Sequence, residues 1–326
     1  MLMTVVVLPE SFSANRFTDP SYHLNTEILL RGIDANGIIL VDKSDVIYNK
    51  LCDNVESLSV TKKGKTTHAL FEELLKKQRQ KKVRFITTNI SSRPDAPIEN
   101  TCASIAVKCK ADSLITDPDL HSRCAAEFGG LVQVTSMTEY ISSAVEVERR
   151  RCYESLPSLD RMAPGEFDRL IAGATRFSRW LRFYDKQIGK GTGLSRFRRG
   201  LERILRIWVD SAYYSKEQLS VDLFTVVDES SYKNYEPSVA YERVKGDLIE
   251  PLIGQFGLSF KFHFKRDVSS ICHPRHLQTQ SLAVLFEKGF DLVEDDGSLC
   301  RTFMKPDAGC APHLQEYRQL KDYLSS

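Results

Sequence analysis

Ala111-Asp112-Ser113-Leu114-Ile115-Thr116-Asp117-Pro118-Asp119 decides the reading of the first half of this chain. Its apolar centre predicts a short buried strand over 112–116. Two carboxylates, Asp117 and Asp119, follow at once. Asp at a cap and Pro in a first turn equally predict a plain helix start there. Upstream, Glu99 opens a helical run carrying Cys102, Ile105, Ala106 and Cys109. A helix leading into a strand that ends in acids is one unit of an alternating α/β fold.

The same alternation extends outward. Residues 4–8, Gly37–Asp42, Val83–Thr88 and Val132–Val134 read as further strands, by shortness and β-branching. Helical periodicity covers Tyr22–Asn36, a segment after Ser44, Leu70–Gln80, 99–110 and His121–Phe128, with a last helix starting at Ser136. Ser44 is the expected cap of the second of these. Right-handed crossovers then imply a three-layer parallel α/β domain over 1–148.

The acids and their order resemble a PIN domain, a small α/β fold that hydrolyses RNA or DNA with divalent metal. The resemblance covers about residues 1–145, and the 99–119 segment carries it. It implies catalytic roles for Glu10, Glu99, Asp117 and Asp119. Glu10, Glu99 and Asp117 would hold Mg²⁺ or Mn²⁺, ions that take carboxylate and water oxygens. The family's remaining acid, on the helix after the second strand, falls near Asn49, so Asp42 or Asp45 would have to substitute. The first strand also departs from the family, which places an Asp where Pro9-Glu10 stands.

The segments Arg149-Arg150-Arg151, Leu156-Pro157-Ser158 and Ala163-Pro164-Gly165 read as a linker or hinge. Beyond it the pattern restarts as a second α/β domain over 160–326 with a mixed sheet. Helices are expected at Pro164–Arg176, Leu194–Val209, Ser238–Phe256 and His313–Leu324, and strands at Arg179–Tyr184, Val221–Val227, Leu258–Phe264 and Leu282–Phe286. Arg182-Phe183-Tyr184-Asp185 ends one strand, and His273-Pro274-Arg275-His276 precedes another. These segments, with Gly289-Phe290-Asp291, resemble degenerate phospholipase D-like domains such as the C-terminal domain of microtubule-interacting-and-trafficking (MIT) proteins. The resemblance implies a phosphate site built from Asp185, His273 and Arg275. His273 stands where the family's phosphoryl nucleophile stands, and Arg275 replaces its Lys. One such motif per chain implies that a full site needs a homo-oligomer.

From Arg176 to Arg206 the chain has ten Lys or Arg against two acids, with Phe177, Trp180, Phe183, Tyr184 and Phe197 interleaved. Arg182, Arg196, Arg198 and Arg199 are the candidates for holding a nucleic-acid backbone. The stripe reads equally as a solvated helix face whose apolar side is core. Gly189-Lys190-Gly191-Thr192-Gly193 lacks the spacing of a phosphate loop.

Composition bounds the rest. A chain of 326 residues with 42% hydrophobic and 27% charged residues fits two ordinary globular domains. A net charge of +2 excludes a polycation. No apolar run reaches 18 residues, so no membrane span is expected. Eight scattered cysteines without a CxxC pair fit reduced thiols in a cytoplasmic protein. Cys272, His276, Cys300, Cys310 and His313 have spacings that zinc would tolerate, without two tight pairs.

The leading expectation is a metal-dependent nuclease acting on RNA or DNA, with the second domain recognising phosphate or nucleic acid. By analogy of fold, such a pairing looks like a toxin or an anti-phage, antiviral defence effector. The rivals are a non-catalytic adaptor that binds a protein partner or nucleic acid, and a metal-independent nuclease working through His273.

Overall fold

The computed structural model describes residues 2–61, 63–80, 82–93, 95–154, 156–186, 188, 194–227, 236–266, 275–307 and 311–322. Contacts divide the chain into two compact units, Leu2–Arg151 and Cys152–Ser326.

The first unit alternates strand and helix: β1 (Met3–Val7), α1 (Pro20–Asn36), β2 (Gly37–Val41), α2 (Val46–Leu58), α3 (Lys65–Arg79), β3 (Phe85–Thr87), α4 (Ile98–Lys108), β4 (Ser113–Thr116), α5 (Pro118–Phe128), β5 (Val134–Ser136) and α6 (Ala144–Glu154). All strands are parallel, in the order β3-β2-β1-β4-β5. Val5, Val6, Val7, Ile38, Ile39, Leu40, Leu114 and Ile115 are fully buried, as strands covered on both faces require. The order reverses between β1 and β4. In such a sheet the crevice beyond the carboxyl ends of those two strands is where ligands bind.

Three expectations for this unit are corrected. Ser44 does not cap α2. The buried Asp42 carboxylate accepts from the amides of Val46 (3.2 Å) and Ile47 (2.8 Å), and Ser44 donates its hydroxyl to Asp42 (2.7 Å). The helix expected from Ser136 is a short turn over Met137–Ser142. α6 starts only after Ser143, whose hydroxyl accepts from the Glu146 amide (3.3 Å). Arg149, Arg150 and Arg151 are helical, in the later turns of α6, where the division between the two units falls. Arg149 and Arg150 pair with the buried Glu146 (2.7 and 3.2 Å) and Arg151 with Glu148 (2.7 Å), at spacings that bring side chains together on a helix.

The second unit contains α7 (Glu166–Thr175), β6 (Trp180–Asp185), α8 (Leu194–Ser211), β7 (Ser220–Val227), α9 (Pro237–Val244), α10 (Glu250–Phe256), β8 (Ser259–Arg266), β9 (Arg275–Gln278), β10 (Ala283–Phe286), β11 (Met304–Pro306) and α11 (Ala311–Gln319). Its sheet is mixed, in the order β11-β10-β9-β6-β7-β8. β6, β7 and β8 run parallel, and β9, β10 and β11 join antiparallel. α8 buries Leu194, Phe197, Leu201, Ile204, Leu205 and Trp208 in the core beside β6 and β7 residues such as Leu181 and Leu223.

β9 and β11 were not expected as strands. Arg275-His276-Leu277-Gln278 has no β-branched residue, and pairing with both β6 and β10 supplies what its local sequence lacks. The single helix expected over Ser238–Phe256 is α9 and α10 joined by a wide π turn, Lys245–Ile249. Pro251 follows it. Proline has no amide hydrogen to give the turn before it, and widening that turn relieves the ring's clash. Among the described residues, no helix is long and apolar enough to cross a membrane.

Candidate functional site

The carboxyl ends of β1, β2 and β4 and the first turn of α4 each deliver acids to the crevice of the first unit. After β1, the helical turn Pro9–Phe12 carries Glu10. Its Oε2 is buried with no hydrogen-bond partner. A buried carboxylate oxygen without a donor is costly, and such an oxygen is a candidate for a bound cation. The turn is tied to α2 by Asn54, whose amide donates to the Pro9 carbonyl (2.6 Å). Asn49, where the family's further acid was sought, is exposed. The α2 side chain hydrogen-bonded to the β1 loop is Asn54, an amide.

After β2, Asp42 is fully buried and accepts from Ser44, Ser92 (2.9 Å), Val46 and Ile47. Burial alone would raise its pKa. The four donors outweigh it and hold the carboxyl below its usual range. Its lone pairs are spent on the start of α2, so it serves structure first. Asp45 is exposed, and Asp112 lies at the opposite, amino end of β4, accepting from the Thr4 amide (2.7 Å). Asp112 therefore lies at the far end of the sheet from the crevice.

After β4, Asp117 is 2% exposed and caps α5, accepting from the Asp119 amide (2.8 Å). The plain helix start and the acidic site are thus built from the same residue. Arg16, in the turn Ala14–Thr18, lays its guanidinium across both acids. Its Nε is 2.8 Å from Asp117 Oδ2, its Nη2 donates to Asp117 Oδ1 (3.0 Å), and it also pairs with Asp119. Tyr22 donates to the Ser11 carbonyl (2.8 Å) beside them, and burial, then Asp117, push its hydroxyl pKa up. On α4, Glu99 pairs with Arg123 of α5.

Cys102 lies among these acids. Its thiol is pushed well up by burial first, then by the carboxylates of Glu10, Asp42 and Glu99. One buried thiol feeling acids from β1, β2 and α4 indicates that the three converge. They do not meet as a tight ligand set. Among the described residues, one group of three side chains brings its ligand atoms within 4.8 Å of one another, and it is Glu56, His68 and Glu72 on α2 and α3. The spacings Cys52-x₃-Glu56 and His68-x₃-Glu72 could have revealed it. Nothing local marks Arg16 as a partner for acids 101 and 103 residues away.

In the second unit, Asp185 is fully buried at the end of β6 and accepts from the Phe290 amide (3.2 Å). Gly289 has φ +74°, and a Cβ there would lie 2.1 Å from Asp185 Oδ2. Arg275 is in register with Asp185 across β6 and β9, but its guanidinium donates to the Glu287 carbonyl. His276 is buried against Asp307 (3.0 Å). Burial pulls its pKa below the usual value despite that carboxylate. His273, Cys272 and Cys310 lie outside the described residues.

The candidate arginines of the basic stripe, Arg182, Arg196, Arg198 and Arg199, are paired within their own unit. Arg182 meets Asp222 (3.0 Å) and lies over Trp180. Arg196 meets Asp291 and Glu294 (3.9 and 3.5 Å), Arg198 meets Glu202 (3.3 Å), and Arg199 meets Asp295 (2.6 Å). This is the arrangement of a solvated helix face laced by ion pairs.

No protein-family model, no curated protein and no solved structure matches this chain.

Proposed function

We propose that the first unit is a metal-dependent nuclease that hydrolyses phosphodiester bonds in RNA or DNA. The observation that carries this reading is Glu10. Its buried, unpartnered oxygen sits after β1, where a parallel sheet reverses its strand order, and it shares the surroundings of Cys102 with acids from β2 and α4. The donors are all carboxylate oxygens, which suits Mg²⁺ or Mn²⁺. Glu10, Glu99 and Asp117 would hold the ion. Such an ion supplies an acidified water and neutralises charge on a scissile phosphate. Glu99 and Asp117 would exchange Arg123 and Arg16 for it, and Asp119 would keep Arg16 at the rim, where a guanidinium can clamp a phosphate oxygen. The second unit would contribute recognition of phosphate or nucleic acid, and the pair would act as a defence effector.

Cleavage of labelled single-stranded RNA, single-stranded DNA and duplex DNA, with Mn²⁺ and with EDTA, tests the reading. Glu10→Gln is the informative variant, because Glu10 Oε2 has no hydrogen bond to lose. Metal-dependent cutting that falls at least about 100-fold in Glu10→Gln is expected, the scale of losing one electrostatic contributor to a transition state. Cutting that survives both EDTA and the substitution would remove the chemistry from this crevice.

A second reading, a non-catalytic adaptor, is favoured by Arg16. It already neutralises Asp117 and Asp119, as an internal cation would in a site that has given up metal. Binding of nucleic acid or a protein partner without cutting under any condition would select it.

A further inference from the structure

α2 and α3 form a hairpin with a second set of donors, none of them among the acids of the crevice. Described residues between them are tied together by hydrogen bonds. Thr61 donates its hydroxyl to the Leu58 carbonyl (2.9 Å) and accepts from the Gly64 amide (3.0 Å). Gly64 is needed there, since a Cβ would lie 2.3 Å from Thr61 Oγ1 and 2.7 Å from Leu58 Cβ. On the inner side, Leu51, Val55 and Leu58 of α2 and Thr67, Phe71 and Leu74 of α3 are buried. The neighbouring outer face of each helix carries one pair of donors spaced by four residues. Cys52 and Glu56 lie on α2, and His68 and Glu72 lie on α3. Residues four apart share a helix face.

The two pairs meet in register. His68 Nε2 is 3.2 Å from Glu56 Oε2. One turn further from the loop, the half-buried Cys52 thiol lies in the field of the Glu72 carboxylate and is hydrogen-bonded by Tyr48. Ligand atoms of Glu56, His68 and Glu72 lie within 4.8 Å of one another. A tetrahedral zinc ion with ligands at about 2.0–2.1 Å holds its donors about 3.4 Å apart, so small side-chain rotations would close the group on an ion. The buried inner faces of the two helices hold the backbone, which gives the donors a rigid support.

We propose that Glu56, His68 and Glu72 form a binding site for one divalent transition-metal ion of the zinc class. An imidazole with two carboxylates is a donor set that zinc accepts and that Mg²⁺ uses poorly. Three protein ligands leave a fourth position to water. Cys52 borders the site as a thiol, since burial and its acidic neighbours raise its pKa. The ion ties α2 to α3, so occupancy is read as stability of the first unit. The proposal does not depend on the nuclease reading, and its residues are not those of the acidic crevice.

The test is titration of the full chain with Zn²⁺ and with Mg²⁺ at pH 7.5, by calorimetry and by melting temperature. His68→Ala and Glu72→Gln are run beside the natural chain. Both alter residues on the hairpin's outer face, and unchanged circular dichroism would establish that they fold. One Zn²⁺ per chain, a raised melting temperature, and a loss of affinity of at least about tenfold in each variant are expected; that is the low end of what losing even an outer-shell partner costs a metal site. Equal Zn²⁺ binding in the natural chain and both variants would place the metal on other residues and overturn the proposal. So would the absence of binding in the natural chain.

Discussion

Arg16 fixes the resting state of the acidic crevice. With its guanidinium present, the nearly buried Asp117 has a charge partner and Asp119 a second tie. Arg16→Ala leaves the buried Asp117 side chain without its guanidinium partner, with the α5 amide still donating to it. Breaking a fully buried pair costs roughly 3–5 kcal/mol. Arg16 keeps 27% exposure, so water can partly replace it, and a loss of about 2 kcal/mol is expected. If the crevice takes metal, Mn²⁺ should restore much of that loss and raise the melting temperature of Arg16→Ala more than that of the natural chain. Thermal denaturation with and without Mn²⁺ checks it; an equal response of both chains would show that Arg16 and the ion do not compete. Glu10, Asp42 and Asp117 could be read from sequence because each follows an apolar strand, and Glu99 because it opens a helical run. Arg16 could not, because ion pairing across 101 residues leaves no periodic trace. The role of Asp42 was half legible. Its position after β2 was plain, yet its use as the anion at the start of α2 depends on Ser92, 50 residues on.

At the scale of elements, the second unit depends on close approach between α8 and the segment after β10. Gly200 lies inside α8, where an added Cβ would be 2.0 Å from the Phe290 carbonyl oxygen. That neighbour is backbone, and its own amide is held by Asp185. Gly200→Ala should therefore destabilise by about 3 kcal/mol or more, although alanine is the better helix former. Chemical denaturation measures it, and a neutral result would mean that α8 can shift outward. β9 supplies a second handle through His276. Its folded pKa lies below the unfolded value of about 6.5, so the unfolded chain binds the extra proton first. The contribution is complete above about pH 6.5 and is lost as pH falls through the lowered folded value. His276→Gln should flatten the fall in stability below pH 6.5, as measured by melting temperature against pH. An unchanged slope would assign it to other groups. α8 was legible because its apolar residues recur with helical period over 18 residues. β9 was not, because four residues without β-branching look like loop until β6 and β10 flank them. The π turn before Pro251 was likewise hidden inside an otherwise regular helical pattern.

For the whole molecule, the question is where its basic charge goes. Ten cations between Arg176 and Arg206, taken as free, would make a strong nucleic-acid surface. Each phosphate neutralised on a single strand lowers log K by about 0.7 per decade of salt, so ten would give a slope near about −7. The structure pairs Arg182, Arg196, Arg198, Arg199 and Arg203 with Asp222, Asp291, Glu294, Glu202, Asp295 and Asp168. A phosphate must displace those carboxylates, and it then releases fewer counterions than a free cation would allow. The slope for single-stranded RNA should therefore be shallow, about −2 to −3, measured by fluorescence anisotropy across a tenfold range of salt. Arg199→Gln should change it by less than about 0.5. A slope near about −7 would mean that the pairs open on binding and that the stripe is a nucleic-acid surface after all. Sequence alone could not choose between these outcomes. Four of the six acids, Asp222, Asp291, Glu294 and Asp295, lie C-terminal to the stripe, and they reach it only because α8 packs against the 290–295 segment and β7 lies beside β6.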